Sequence, residues 1–184
     1  MKASSRWLSE ATPPDNRSHE SCTPAGVPAS LNHLHRMPST HTSLHYHLVF
    51  ATRNREPWLT EPTRTELHEY LGGTVRGLGG QPEGIGGIAD HVHLLVSLKP
   101  THCLADFMRE LKKASSSWYR DHSHQPGFHW QEGYAAFTVS ASAKDAVRSY
   151  IARQEEHHRT RTFREELIEF LQKAGVDYDE RYLD

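Results

Sequence analysis

The run His91-Val92-His93-Leu94-Leu95-Val96-Ser97-Leu98 constrains this chain more than any other stretch. It alternates as a β-strand does, with neighbouring side chains on opposite faces. Val92, Leu94, Val96 and Leu98 share an apolar face, and His91 and His93 share the other. Such a strand suits a sheet with one face under helices and one face open. Both imidazoles then project the same way, at a separation that one divalent ion bridges.

The rest of the pattern supplies that sheet. Ser43 to Ala51 alternates with aromatic and branched residues, and Thr52 to Pro57 reads as a polar, basic exit loop. A helix is expected over 60–78, capped by Thr60, with Leu67, Leu71, Val75 and Leu78 as its buried stripe and Gly79-Gly80 as its stop. Residues 83–88 read as a glycine-rich strand. An amphipathic helix over 104–120 buries Leu104, Phe107, Met108, Leu111, Ala114 and Trp118, while Arg109, Lys112, Lys113 and Arg120 project elsewhere. Ala135 to Val139 is a fourth strand. Ser142 is placed to cap a helix over about 143–157, and a last helix over 163–173 ends at Gly175. The expected class is α+β: a ferredoxin-like βαββαβ antiparallel sheet, with helices on one face and an added C-terminal helix across the other.

Composition narrows the setting. Residues 1–40 are rich in Ser, Pro, Thr, Asn and His without hydrophobic periodicity, so a disordered tail is expected there, with 41–184 as the folded domain. Met37 directly precedes the first patterned segment and is an alternative start. The tail holds no apolar run of signal-peptide or membrane-span length. Cys22 and Cys103 are the only cysteines, too few for a disulfide framework or a thiolate metal site, and fit a cytoplasmic protein. The net charge of -2 excludes a global basic field, so nucleic-acid affinity requires local patches and shape.

Chemistry enters with Tyr150-Ile151-Ala152-Arg153-Gln154. On a helix, residues four apart are neighbours, which puts Tyr150 beside Gln154. A phenol is a poor nucleophile until a cation or base stabilises its oxyanion. An ion held by His91 and His93, with the Gln154 amide oxygen as third ligand, provides that and keeps an open position for a phosphate oxygen. Neutral ligands leave the ion's charge largely uncancelled. A lone histidine more often only hydrogen-bonds locally, and a lone helical tyrosine more often packs at a core edge; the pairings carry the reading. His45-Tyr46-His47 is a second pair that spacing alone does not exclude. Glu155 and Glu156 read as exposed carboxylates rather than ligands. Arg53 and Arg55, beside the site, and Lys112 are candidate phosphate contacts.

These segments resemble the HUH-type single-tyrosine transposase family, which includes insertion-sequence transposases and REP-associated tyrosine transposases. The matching residues are Leu44 to Phe50 with Thr52-Arg53-Asn54-Arg55, Asp90 to Val96, Leu111 to Ser116, Trp130 to Tyr134, and Tyr150 to Gln154. The resemblance implies that Tyr150 attacks a phosphodiester of single-stranded DNA, giving a 5′-phosphotyrosine adduct and a free 3′-hydroxyl. It implies a Mg2+ or Mn2+ ion on His91, His93 and Gln154; imidazoles suit Mn2+ better. It also implies a hairpin-bearing DNA substrate and a homodimer that shares its active sites. Two other readings use the same framework: a non-enzymatic, RRM-like nucleic-acid-binding module, and a metal-dependent phosphodiesterase that uses water.

Overall fold

In a computed structural model of the protein, residues 40–183 are described. The expectations for the tail and for Met37 as a start lie outside the described residues.

Four strands, β1 (His45–Ala51), β2 (Gln81–Gly87), β3 (His91–Ser97) and β4 (Ala135–Val139), form one sheet in the order β2-β3-β1-β4. Every neighbouring pair is antiparallel. With α1 (Thr63–Gly77) and α2 (Leu104–Ser123) between strands, the order is βαββαβ, the expected ferredoxin-like arrangement. The alternation read from the sequence sets the two faces. Leu48, Phe50, Val92, Leu94 and Val96 pack against Leu67, Leu71 and Val75 of α1 and Phe107, Met108 and Leu111 of α2. Tyr119 joins this core fully buried and donates from its hydroxyl to the Trp58 carbonyl at 2.5 Å, whereas Trp118 is only partly buried and stacks on Tyr70.

On the other face, Ala51 pairs with His91, Val49 with His93 and His47 with Leu95. As expected, a helix from the C-terminal part crosses this face, but it does not cross alone, so the histidines do not stand on an open surface. The face lies beneath α3 (Lys144–Ala152), α4 (Gln154–His157) and α5 (Phe163–Ala174). The cause is a second apolar cluster, in which Phe163, Leu167 and Leu171 of α5 close over Val49 and Ala51. Burying these side chains favours docking by roughly 1.5–3 kcal/mol each. Helix α5 is set by a capping box between Thr162 and Glu165, and it stops at Gly175, whose φ of 64° is the left-handed C-cap conformation.

Three boundaries differ from the sequence reading. Helix α1 begins at Thr63, with Pro62 at the N-cap and no side-chain cap; the Thr60 carbonyl accepts from the Arg64 N–H instead. Ser142 lies in a 3-10 turn and its hydroxyl meets that of Ser140, so it caps nothing. The expected helix over 143–157 is two helices. It breaks at Arg153 (φ −108°, ψ 21°), whose N–H reaches only back to the Tyr150 carbonyl.

Helix α3 docks on β2 through a glycine. A Cβ at Gly86 would run into the Ile151 carbonyl oxygen, a backbone atom that cannot swing aside. Gly86 is also paired with His93 across the sheet. Gly86→Ala should therefore push α3, with Tyr150 and Gln154, off the sheet and destabilise the fold by about 1–3 kcal/mol. Denaturant unfolding measures this; wild-type stability in the variant would contradict the contact.

Candidate metal centre and tyrosine site

The four side chains singled out from the sequence are brought together within one chain. His91 and His93 are fully buried and Gln154 is 1% exposed. The Gln154 Oε1 lies 3.4 Å from His91 Nε2. The Tyr150 ring lies 6.0 Å from that of His93, edge-on.

Each imidazole is oriented from behind. His91 Nδ1–H donates to Asp90 Oδ1 at 2.7 Å, so its Nε2 carries the lone pair. Arg55 in turn donates to Asp90 Oδ2 and lies 4.0 Å over the Phe163 ring. Burial alone would raise the Asp90 pKa, but the bonds from His91 and Arg55 outweigh it and hold the carboxyl at about 2. His93 Nδ1 lies 3.0 Å from His47 Nε2. If His93 donates there, its own Nε2 lone pair also faces inward. His47 thus stands behind His93; His45 instead meets Glu83 and Ser97 at the far end of the strand.

Two further donors complete the cluster, and neither was singled out from the sequence. Glu166 of α5, 2% exposed, places Oε2 3.4 Å from His93 Nε2, 3.9 Å from His91 Nε2 and 3.3 Å from His158 Nε2. One donor atom from each of His91, His93, His158 and Glu166 lies within 4.8 Å of the others. The signal for Glu166 was present: it falls on the α5 stripe with Phe163, Leu167 and Phe170, where a carboxylate is out of place. His158 carried no such signal. Glu155 and Glu156 are exposed, as expected, and Glu155 pairs with Arg64.

The donor atoms fit a cation. His93 Nε2, His158 Nε2 and Glu166 Oε2 are buried without a hydrogen-bond partner. Acceptors facing one another in this way are costly unless a positive charge lies between them. Burial also keeps the rings neutral, as ligands must be: it lowers His47 and His158 to about 4, and His93 well below its ordinary value. Burial of Glu166 acts oppositely and raises its carboxyl to about 8.

A stability profile follows. Histidines of the unfolded chain take up protons near pH 6.5, before the lowered native ones. Stability from His47, His158 and His68 (also lowered to about 4 by burial) is present above pH 6.5 and lost as pH falls towards 4. Glu166 contributes stability below about 4.5 that is lost as pH rises towards 8. The metal-free protein should therefore be most stable near pH 6.5. Urea unfolding in chelator at pH 4.5, 6.5 and 8 checks this; a flat profile below pH 6.5 would contradict the burial of neutral rings.

A cavity of about 370 Å³ is lined by Tyr150, Arg153, Glu156, His157 and Thr160. Tyr150 Oη itself has no hydrogen-bond partner.

The candidate phosphate contacts divide. Arg53 is exposed and lines a groove with Asn54, His129 and Gln131. Arg55 is engaged behind Asp90. Lys112 donates to the carbonyls of Gln131, Glu132 and Gly133 at 2.6, 2.8 and 2.9 Å, which uses all three of its N–H groups. Trp130 Nε1–H donates to Ser115 at 2.9 Å. Together these bonds tie the loop before β4 to α2.

Fold and site define a class: an α+β domain whose central strands carry a buried histidine cluster beneath a tyrosine-bearing helix. The chain belongs to the IS200-like transposase family, which matches residues 40–154. It is therefore an enzyme of the transposase type. It is 29% identical over 119 residues to the ISDra2 transposase TnpA of Deinococcus radiodurans, covering 60% of this chain and 84% of that protein. A crystal structure from Deinococcus radiodurans R1, described as a transposase, superimposes with a TM-score of 0.52 at 28% identity, over 64% of this chain and 95% of that one. The structure of a REP-associated tyrosine transposase bound to a REP hairpin gives a TM-score of 0.49 at 15% identity, over 66% and 74% of the two chains. No helix among the described residues is long and apolar enough to cross a membrane.

Proposed function

We propose that residues 41–184 form a single-tyrosine transposase domain that cuts single-stranded DNA and rejoins it through a 5′-phosphotyrosine intermediate. The observation that carries this reading is the convergence, in one chain, of the Tyr150 ring and the inward-facing donors of His91, His93 and Gln154. Tyr150 is the nucleophile. His91, His93 and Gln154 hold a divalent ion, Mg2+ or Mn2+, which when bound supplies Lewis-acid polarisation of the scissile phosphate.

The residues divide the remaining work. Tyr150 Oη forms a bond to phosphorus as the bond from phosphorus to the 3′ oxygen breaks. The phenol gives up its proton and the departing 3′ oxygen gains one. An incoming 3′-hydroxyl reverses the exchange, so no external energy source is needed. Asp90, backed by Arg55, fixes the tautomer and ring plane of His91. Arg53 contacts the DNA backbone at the groove beside the site. The RRM-like alternative loses its support, because helices cover the face on which bases would stack.

The substrate is single-stranded DNA adjoining a hairpin. The test is incubation of the protein with labelled strands from either side of its own gene, with Mn2+. A denaturation-resistant adduct mapping to Tyr150 is expected; intact DNA under all conditions, or cut DNA without adduct, would overturn the reading. A homodimer can share its sites or keep them separate. The cis placement of Tyr150 favours separate sites, so mixing Tyr150→Phe with His91→Ala chains should not restore cleavage. Restored cleavage would show the tyrosine helix acting on the partner's metal site.

A further inference from the structure

We propose that Glu166 and His158 are ligands of the same ion. They would make the site a cage of three imidazoles, one carboxylate and the Gln154 amide oxygen, which selects a transition ion such as Co2+ or Mn2+ over Mg2+ and holds it before DNA arrives. This rests on the metal reading given above and adds two ligands to it. Both residues follow the stretch matched by the family, which ends at residue 154.

Geometry carries the assignment. Ligands about 2.1 Å from a common ion are separated by roughly 3.0–3.4 Å when adjacent, and by more when opposed. Glu166 Oε2 stands at 3.3 and 3.4 Å from the Nε2 atoms of His158 and His93, and at 3.9 Å from that of His91. One carboxylate oxygen is thus a shared corner for all three rings. Its fellow oxygen is occupied: Gln154 Nε2–H donates to Glu166 Oε1 at 3.1 Å. That bond fixes the carboxylate plane and turns the Gln154 oxygen towards His91. The oxygen left over has no hydrogen-bond partner although it is buried.

The sequence explains how a carboxylate comes to be there. In Thr162-Phe163-Arg164-Glu165-Glu166-Leu167 the first glutamate closes the capping box at the surface. The second falls on the buried stripe, between two residues that pack on β1. Docking α5 by its apolar side chains therefore drives Glu166 into the histidine cluster. Burying a carboxylate with no compensating charge is costly, and an ion on the three rings supplies that charge. Nitrogen-rich sets disfavour Mg2+, which prefers oxygen donors and retains water, and favour later divalent ions.

The experiment is metal binding by the full chain without DNA, using Mn2+, Co2+ and Mg2+ in equilibrium dialysis, with the visible absorption of Co2+ as a second readout. Wild type should bind Co2+ and Mn2+ at least about a hundredfold more tightly than Mg2+. Glu166→Gln keeps the shape and removes the charge. It should weaken Co2+ binding by about tenfold or more and change the absorption band, and His158→Ala should act in the same direction. His91→Ala serves as the reference for the underlying site. If it abolishes binding while Glu166→Gln and His158→Ala change neither affinity nor spectrum, the two added ligands are wrong and the three-residue site stands. If His91→Ala also leaves binding intact, the metal reading itself fails. Circular dichroism in chelator checks folding of each variant, and His158→Ala decides alone should Glu166→Gln not fold.

Discussion

Tyr150→Phe should abolish the protein–DNA adduct and lower strand cleavage by at least about 10⁴-fold, the scale on which enzymes lose activity when the nucleophile is removed. The change deletes one oxygen. That oxygen is buried without a hydrogen-bond partner in the free protein, so its loss leaves no donor or acceptor stranded. The ring keeps its edge-on contacts with His93, His157 and Phe170. Stability should therefore be unchanged or slightly raised, and DNA binding should survive, because the candidate backbone contact at Arg53 is untouched. Cleavage, adduct formation, binding and unfolding measured on the same preparation separate the cases. Retained cleavage without an adduct would mean that water attacks and that the tyrosine only packs. A Tyr150→Phe chain that unfolds would give the phenol a structural role that its missing partner does not suggest.

The sheet was legible because its information is local. Alternation in residues 91–98 fixes which side chains share a face, and β3 shows that division, with His91 and His93 opposite Val92, Leu94 and Val96. Topology followed from the order of the elements. That a C-terminal helix crosses the histidine face was legible; that α5 closes over it and buries both rings was not, since α5 has a short apolar stripe and lies in an acidic segment. Periodicity also could not show that the chain breaks at Arg153. A continuous helix would have made Tyr150 and Gln154 neighbours by spacing alone. In the structure they reach the histidines from successive helices, and the turn between them sends Gln154 inward. The extra ligands were missed for the same reason: Glu166 and His158 are recruited by tertiary docking, and no fixed spacing links them to the His-x-His pair. Lys112 was misleading in the opposite sense. A basic residue on a helix reads as a free cation, yet three carbonyls from a loop some twenty residues downstream consume it.

His93→Ala should separate the metal from the fold. The substitution opens a cavity where a fully buried ring stood, which costs about 2–4 kcal/mol in an apolar core. It also removes an unpartnered buried nitrogen that lies 3.4 Å from the Glu166 carboxylate, but it strands the buried His47 nitrogen that met His93 at 3.0 Å. These two polar effects are each about 1–3 kcal/mol and opposite in sign. In chelator the cavity cost remains, so the variant should be less stable than wild type by about 2–4 kcal/mol. With Mn2+ present the two proteins should diverge further. An ion that binds only the folded state stabilises it by about 2.7 kcal/mol at a hundred times its dissociation constant, and the variant, lacking one of the ring nitrogens, should gain far less. Cleavage should fall by at least about 10³-fold, since the phosphate loses its Lewis acid. The comparison with Tyr150→Phe is then diagnostic: that variant should keep the full metal-dependent gain in stability with no chemistry, while His93→Ala should lose both. Equal metal stabilisation in wild type and His93→Ala would mean that the ion sits elsewhere and that the imidazoles are core residues.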